Sequence, residues 1–159
     1  MKHIILFIFI SVTPLLYGQT LKDQWVKCNN NGCELLEPYY SEGVSFNWDG
    51  SCVEGKANGY GTAIKYENST LHSTYIGEYL DGIRAGSGKM VRHLSNETWE
   101  GNFINGQLSG YAKYKNENGN RYEGNFINYM QHGKGAKYYG NGSTFEGLFN
   151  SFEEYTGVL

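Results

Sequence analysis

The sequence predicts an all-β protein built from hairpin repeats, on three observations. Glycine reaches 22 residues and tyrosine 14, while proline is only 2; many aromatics and glycines beside little charge favour closely packed strands over helices. An aromatic-x-Gly unit recurs five times, at Trp48, Tyr75, Trp99, Tyr122 and Phe145, with spacings of 27, 24, 23 and 23 residues. Around each unit, large or apolar residues alternate with polar ones, which is the strand period of two.

The elements follow in chain order. Lys2 and His3 make a short polar start, and Ile4 to Val12 is an apolar run broken only by Ser11. With the small-residue region ending at Gly18, residues 1–18 read as a secretory signal peptide. The apolar run is too short for a spanning helix, which needs roughly 20 residues. Export to the periplasm or the medium is the expectation. Removing this segment leaves 12 basic residues against 16 acidic ones. That balance argues against nucleic acid as a partner and opposes a strongly anionic membrane surface. Residues 19–44 are then an N-terminal capping segment. Residues 45–159 hold the five repeats, the last degenerate and read as a cap.

Cys28, Cys33 and Cys52 all fall early in the chain. An exported protein meets oxidising conditions, so one disulfide is expected and one thiol is left over. No histidine lies near them, and their spacing lacks a four-ligand zinc pattern. No metal or other cofactor is expected.

In a strand, residues i, i+2 and i+4 share a face. Tyr122, Gly124 and Phe126 therefore point inward together. So do Trp99, Gly101 and Phe103; Tyr75, Gly77 and Tyr79; Trp48, Gly50 and Cys52; and Phe145, Gly147 and Phe149. The glycine between two large side chains leaves room for a ring from a neighbouring strand or repeat. A turn follows, such as Asp81-Gly82 or Asn105-Gly106, of the kind that takes positive φ. The second strand opens on Gly-x-Gly: Gly59 and Gly61, Gly86 and Gly88, Gly133 and Gly135, and Gly110 with Ala112. Each repeat is thus one hairpin. A lone hairpin is marginal in water, so the repeats stack to bury a shared aromatic row.

One position breaks the register. Tyr129 stands where the sister copies carry Gly55, Gly82 and Gly106. It is expected to sit in the turn and project from the array. With Tyr111 and Tyr138 it makes the candidate partner surface. Tyr129→Gly is expected to spare the fold and weaken partner binding.

The pattern of YEGNFINYMQHGKG and its sister copies resembles the membrane-occupation-and-recognition-nexus, or MORN, repeat, from Trp48 to the C-terminus. The resemblance implies an elongated, single-layer antiparallel sheet of consecutive hairpins. It implies a non-catalytic scaffold for protein–protein interaction or self-association, with association to envelope phospholipid as the alternative. The segment CELLEPYYSEGVSFNWDGSC is similar to the one that leads into the first Trp-x-Gly-x-Cys unit of exported bacterial MORN proteins. That likeness implies a Cys33–Cys52 disulfide, with Cys28–Cys52 and Cys28–Cys33 as alternatives.

No catalytic residue is expected. His72, His93 and His132 have no recurring serine, cysteine or carboxylate partner, and no nucleophile motif is present. Gly133-Lys134-Gly135 lacks the rest of a phosphate loop. Glu100, Glu123 and Glu146 follow the repeat register and read as a solvated face.

Overall fold

The computed structural model describes residues 24–155 apart from Tyr39 and Phe152. The expected signal peptide lies outside the described residues. The thirteen strands are β1 (Gln24–Lys27), β2 (Glu34–Glu37), β3 (Val44–Trp48), β4 (Ser51–Val53), β5 (Lys56–Glu67), β6 (Thr70–Leu80), β7 (Ile83–Arg92), β8 (Glu97–Ile104), β9 (Gln107–Lys115), β10 (Arg121–Ile127), β11 (Met130–Tyr138), β12 (Thr144–Asn150) and β13 (Glu153–Tyr155). They form one open all-β sheet. From β5 to β13 each strand pairs with the next, and β3 and β4 both pair with β5. The pairings are antiparallel except where Glu34 of β2 meets Lys56 of β5 and where Cys28 bridges Phe46 of β3.

The turns explain the regularity. Asp81-Gly82, Asn105-Gly106 and Asn128-Tyr129 are two-residue loops in which both residues have positive φ, between 50° and 81°. This is the hairpin turn whose twist matches that of the strands it joins. Each turn is also stapled to the repeat before it. The amides of Gly82, Gly106, Tyr129 and Ser151 donate to the carbonyls of Ala57, Arg84, Leu108 and Gln131, at 2.8 to 3.0 Å. The register of each hairpin then shifts, between Gly77 and Glu78, Gly101 and Phe103, and Gly124 and Phe126. Opposite each shift, Gly86, Gly110 and Gly133 take positive φ. These are bulges, and bulges bend strands.

Over Gly50, Gly77 and Gly124 the ring is the first aromatic of the same repeat, not one from a neighbouring strand or repeat as the sequence suggests, and it extends over Gly61, Gly88 and Gly135 of the following strand. Gly77 faces Gly88, and Gly124 faces Gly135. A methyl group added at Gly124 would stand 2.5 Å from the Tyr122 hydroxyl and 2.6 Å from Gly135 Cα. The ring lies flat along its own strand because its polar tip is held three residues on. Trp48 Nε1 donates to Ser51 O at 2.9 Å, Tyr75 OH to Glu78 O at 3.2 Å and Tyr122 OH to Asn125 O at 3.2 Å. A buried hydroxyl or indole N–H needs such a partner.

The second aromatic of the next repeat then packs edge-on against that ring. Tyr79 meets Trp48 at 4.9 Å, Phe103 meets Tyr75 at 4.9 Å and Phe149 meets Tyr122 at 4.7 Å between centroids. This ladder of rings is the core, with Trp48, Tyr75, Tyr79, Trp99, Phe103, Tyr122, Phe126 and Phe149 all buried. Phe145 is half-buried against it.

The β1–β2 hairpin covers the first repeats. Glu34 N donates to Gly55 O and Leu36 N to Gly82 O, so β2 runs across two hairpin tips. Cys33 and Cys52 are joined by a disulfide, with Cα atoms 5.8 Å apart. Cys52 itself is exposed rather than turned inward with Trp48. Its sulfur reaches instead to the fully buried Cys33 on the covering hairpin. Glu37 adds a buried ion pair to Lys65 at 3.3 Å.

Candidate functional site

Two surfaces could meet a partner. The first is a groove of about 1050 Å³ on the aromatic face. Trp99, Tyr114 and Tyr129 are among the residues that line it, with Trp99 5.3 Å from Tyr114 and 6.2 Å from Tyr129 between centroids. Its charged groups are of both signs and mostly paired. Arg92 lies 3.8 Å from Glu97 and 5.0 Å over the Trp99 ring. Tyr114 OH donates to Glu97 at 2.7 Å. Burial and that hydrogen bond push the Tyr114 hydroxyl up to about 12, so it stays a donor. At one end Lys65 bridges Glu37 and Glu67, and His72 stands 3.7 Å from Glu67. Burial and the Lys65 charge hold His72 below its ordinary value, which keeps it a neutral imidazole at pH 7.

The second surface is the opposite face. Val53, Leu80, Ile104 and Ile127 each precede a hairpin turn, and each is 47 to 60% exposed. They form one row with one residue per repeat. Tyr60 and Tyr111, which follow Gly59 and Gly110, are exposed on the same face, Tyr111 at 62%. Lys89 and Glu100, and Lys113 and Glu123, pair across strands on that face at 3.7 and 3.8 Å. The sequence reading missed this row. The signal was there, in the apolar residue before each turn, but without a structure it could not be told from core.

The three candidate partner residues do not come together. Tyr111 is exposed. Tyr138 is half-buried on the outer face, with the Arg121 guanidinium 4.8 Å over its ring. Tyr129 requires a correction, because it does not project. Its ring packs against Trp99 and Phe103, 6.2 Å from each. Its hydroxyl lies 3.5 Å from Gly106 O. The reason lies in the neighbouring repeat. The Ala112 methyl occupies the space above Gly101, where the first ring would otherwise lie. Trp99 leans instead towards Tyr114 and Arg92, and Tyr129 supplies the ring that continues the ladder. The two departures from the repeat pattern, Ala112 and Tyr129, thus meet around one tryptophan.

The expected outcome of Tyr129→Gly changes with this. Glycine would relieve a backbone at φ 67°, worth about 1–2 kcal/mol. It would also remove a packed aromatic ring, a larger loss of about 3–5 kcal/mol when fully buried. A net loss of about 1–2 kcal/mol should lower Tm by roughly 2–8 °C. Thermal unfolding checks it; an unchanged or raised Tm would return Tyr129 to the surface.

Cys28 carries a buried free thiol. Burial pushes it up to about 12, so at neutral pH it is protonated and a poor nucleophile. No group of three or more His, Cys, Asp or Glu side chains placed to hold a metal occurs among the described residues.

Residues 75–92, 99–121 and 122–144 match the family model described as MORN repeat. These are the second, third and fourth copies of the sequence pattern. No curated protein matches the chain.

Proposed function

Because the chain is a MORN-repeat protein, we propose that it serves as an exported, non-catalytic scaffold whose outer face engages a protein, a second copy of itself included. The family is a module for protein or lipid interaction, and the apolar row Val53, Leu80, Ile104 and Ile127 carries the reading. Soluble monomers seldom keep a long exposed apolar strip unless it meets something. The row recurs at the repeat spacing, so a partner with the same period can engage several repeats at once. The Lys–Glu pairs on the same face give such a contact a polar rim. The Cys33–Cys52 disulfide is consistent with an oxidising, exported setting.

Sedimentation velocity tests self-association. The wild type is expected to sediment as a dimer or larger at micromolar concentration, and Leu80→Ser/Ile104→Ser as a monomer with unchanged circular dichroism. A wild type that stays monomeric and retains no protein in a pull-down counts against the reading. Envelope phospholipid is the second reading, favoured by the same row, since exposed aliphatics can enter a headgroup boundary. Flotation with neutral and anionic vesicles separates the two.

A further inference from the structure

Gln131 stands out on the groove side of the sheet. Its repeat position, two residues after the turn, is Ala57, Arg84 and Leu108 in the earlier copies. Leu108 is fully buried there, so a leucine packs well at this place. Gln131 is equally enclosed, at 6% exposed, yet its Oε1 accepts no hydrogen bond. Gln107 Oε1 and His72 Nδ1 are buried and without a partner in the same way. All three residues line the one groove. A buried acceptor left without a donor costs about 1–3 kcal/mol, and native proteins seldom keep several without a reason.

We infer that the groove is a binding site for a neutral, hydroxyl-rich ligand of the oligosaccharide class. The two glutamine oxygens call for donors and the His72 Nδ1 for a partner of either kind, and sugar hydroxyls donate as readily as they accept. The half-buried rings of Tyr114 and Tyr129 give an apolar wall for the C–H faces of sugar rings, with the buried Trp99 packed behind them. The charges here are largely paired with one another, through Lys65 with Glu37 and Glu67 and through Arg92 with Glu97, so the walls favour an uncharged guest. An extended peptide fits less well, because the strands from β5 to β12 use their backbone groups in the ladders and offer no free edge inside the groove. This site is independent of the outer face proposed above.

Isothermal titration of the full chain against neutral hexasaccharides of glucose, xylose, mannose and N-acetylglucosamine tests it. At least one is expected to bind with Kd below about 1 mM. Gln131→Leu, which copies Leu108, should weaken that binding about tenfold or more while raising Tm, because it removes an unpaired acceptor. Gln107→Leu should weaken binding similarly, which keeps the test open if one variant misfolds. Tyr60→Ser on the outer face should bind as the wild type does. Absence of binding to every hexasaccharide at about ten times that concentration, or unchanged affinity in both glutamine variants, overturns the inference. Capture of charged peptides in place of sugars overturns it too. Because self-association is read separately by sedimentation, failure here leaves the outer-face reading standing.

Discussion

Gly135→Ala is expected to destabilise the protein by about 3 kcal/mol, far more than one methyl group suggests. The new methyl would fall within 2.6 Å of Tyr122 Cζ. Gly135 has ordinary φ, so backbone strain plays no part. Tyr122 is fully buried and has Gly124 beneath it, Phe126 at 5.1 Å and Phe149 at 4.7 Å around it. It cannot yield without breaking the ring ladder and losing the bond from its hydroxyl to Asn125 O. Thermal unfolding should show Tm falling by roughly 6–12 °C. Gly142→Ala is the control. It has positive φ but nothing within 4 Å of the new methyl, so it should cost only the left-handed backbone term of about 1–2 kcal/mol. Equal losses in the two variants would contradict the ring-on-glycine core. The third repeat shows what compensation requires: Ala112 is tolerated there because Trp99 leans away and Tyr129 fills in.

Loss of the Cys33–Cys52 disulfide is the second large effect. In the chain-entropy model a loop of this length stabilises by about 3 kcal/mol. The Cys33→Ala/Cys52→Ala variant should lose roughly that much in urea unfolding. The loss should be local first. Leu36 N, bonded to Gly82 O, and the buried Glu37–Lys65 pair hold β2 across the hairpin tips. Hydrogen exchange at Leu36 should therefore accelerate well before exchange at Tyr122 does. An unchanged urea midpoint would contradict this role. Cys28 does not rescue the variant, because its buried thiol has no partner left to join once both other cysteines are gone.

Much of the fold was legible in the sequence, since the repeat writes one local rule several times. The Asp-Gly and Asn-Gly turns, the Gly-x-Gly openings and the inward set Tyr122, Gly124 and Phe126 all follow from strand alternation and positive φ. The source of the ring over each glycine did not follow. Alternation says which face Tyr122 occupies, but only the bond to Asn125 O lays it along its own strand. Tyr129 was misread because a turn residue is ordinarily exposed, and the space it fills exists only because Ala112 displaces Trp99 in another repeat. That coupling is tertiary and leaves no mark in local sequence. The groove was invisible for the same reason: His72, Gln107 and Gln131 sit on β6, β9 and β11, which are separated in the sheet by β7, β8 and β10, and only the folded sheet places them along one groove. The outer row was present in the sequence as Val53, Leu80, Ile104 and Ile127, but exposure decides its meaning, and sequence does not give exposure.

The most direct measurement is crosslinking with mass spectrometry in the native cells and their medium, comparing the wild type with Leu80→Ser/Ile104→Ser/Ile127→Ser. Lys89, Lys113 and Lys134 stand on the same outer face as the apolar row. They are expected to crosslink to one recurring protein, or to a second copy of the chain, and to lose those links in the variant. Links that persist unchanged in the variant, or a wild type that joins no protein through these lysines, would contradict an outer face built to bind a partner.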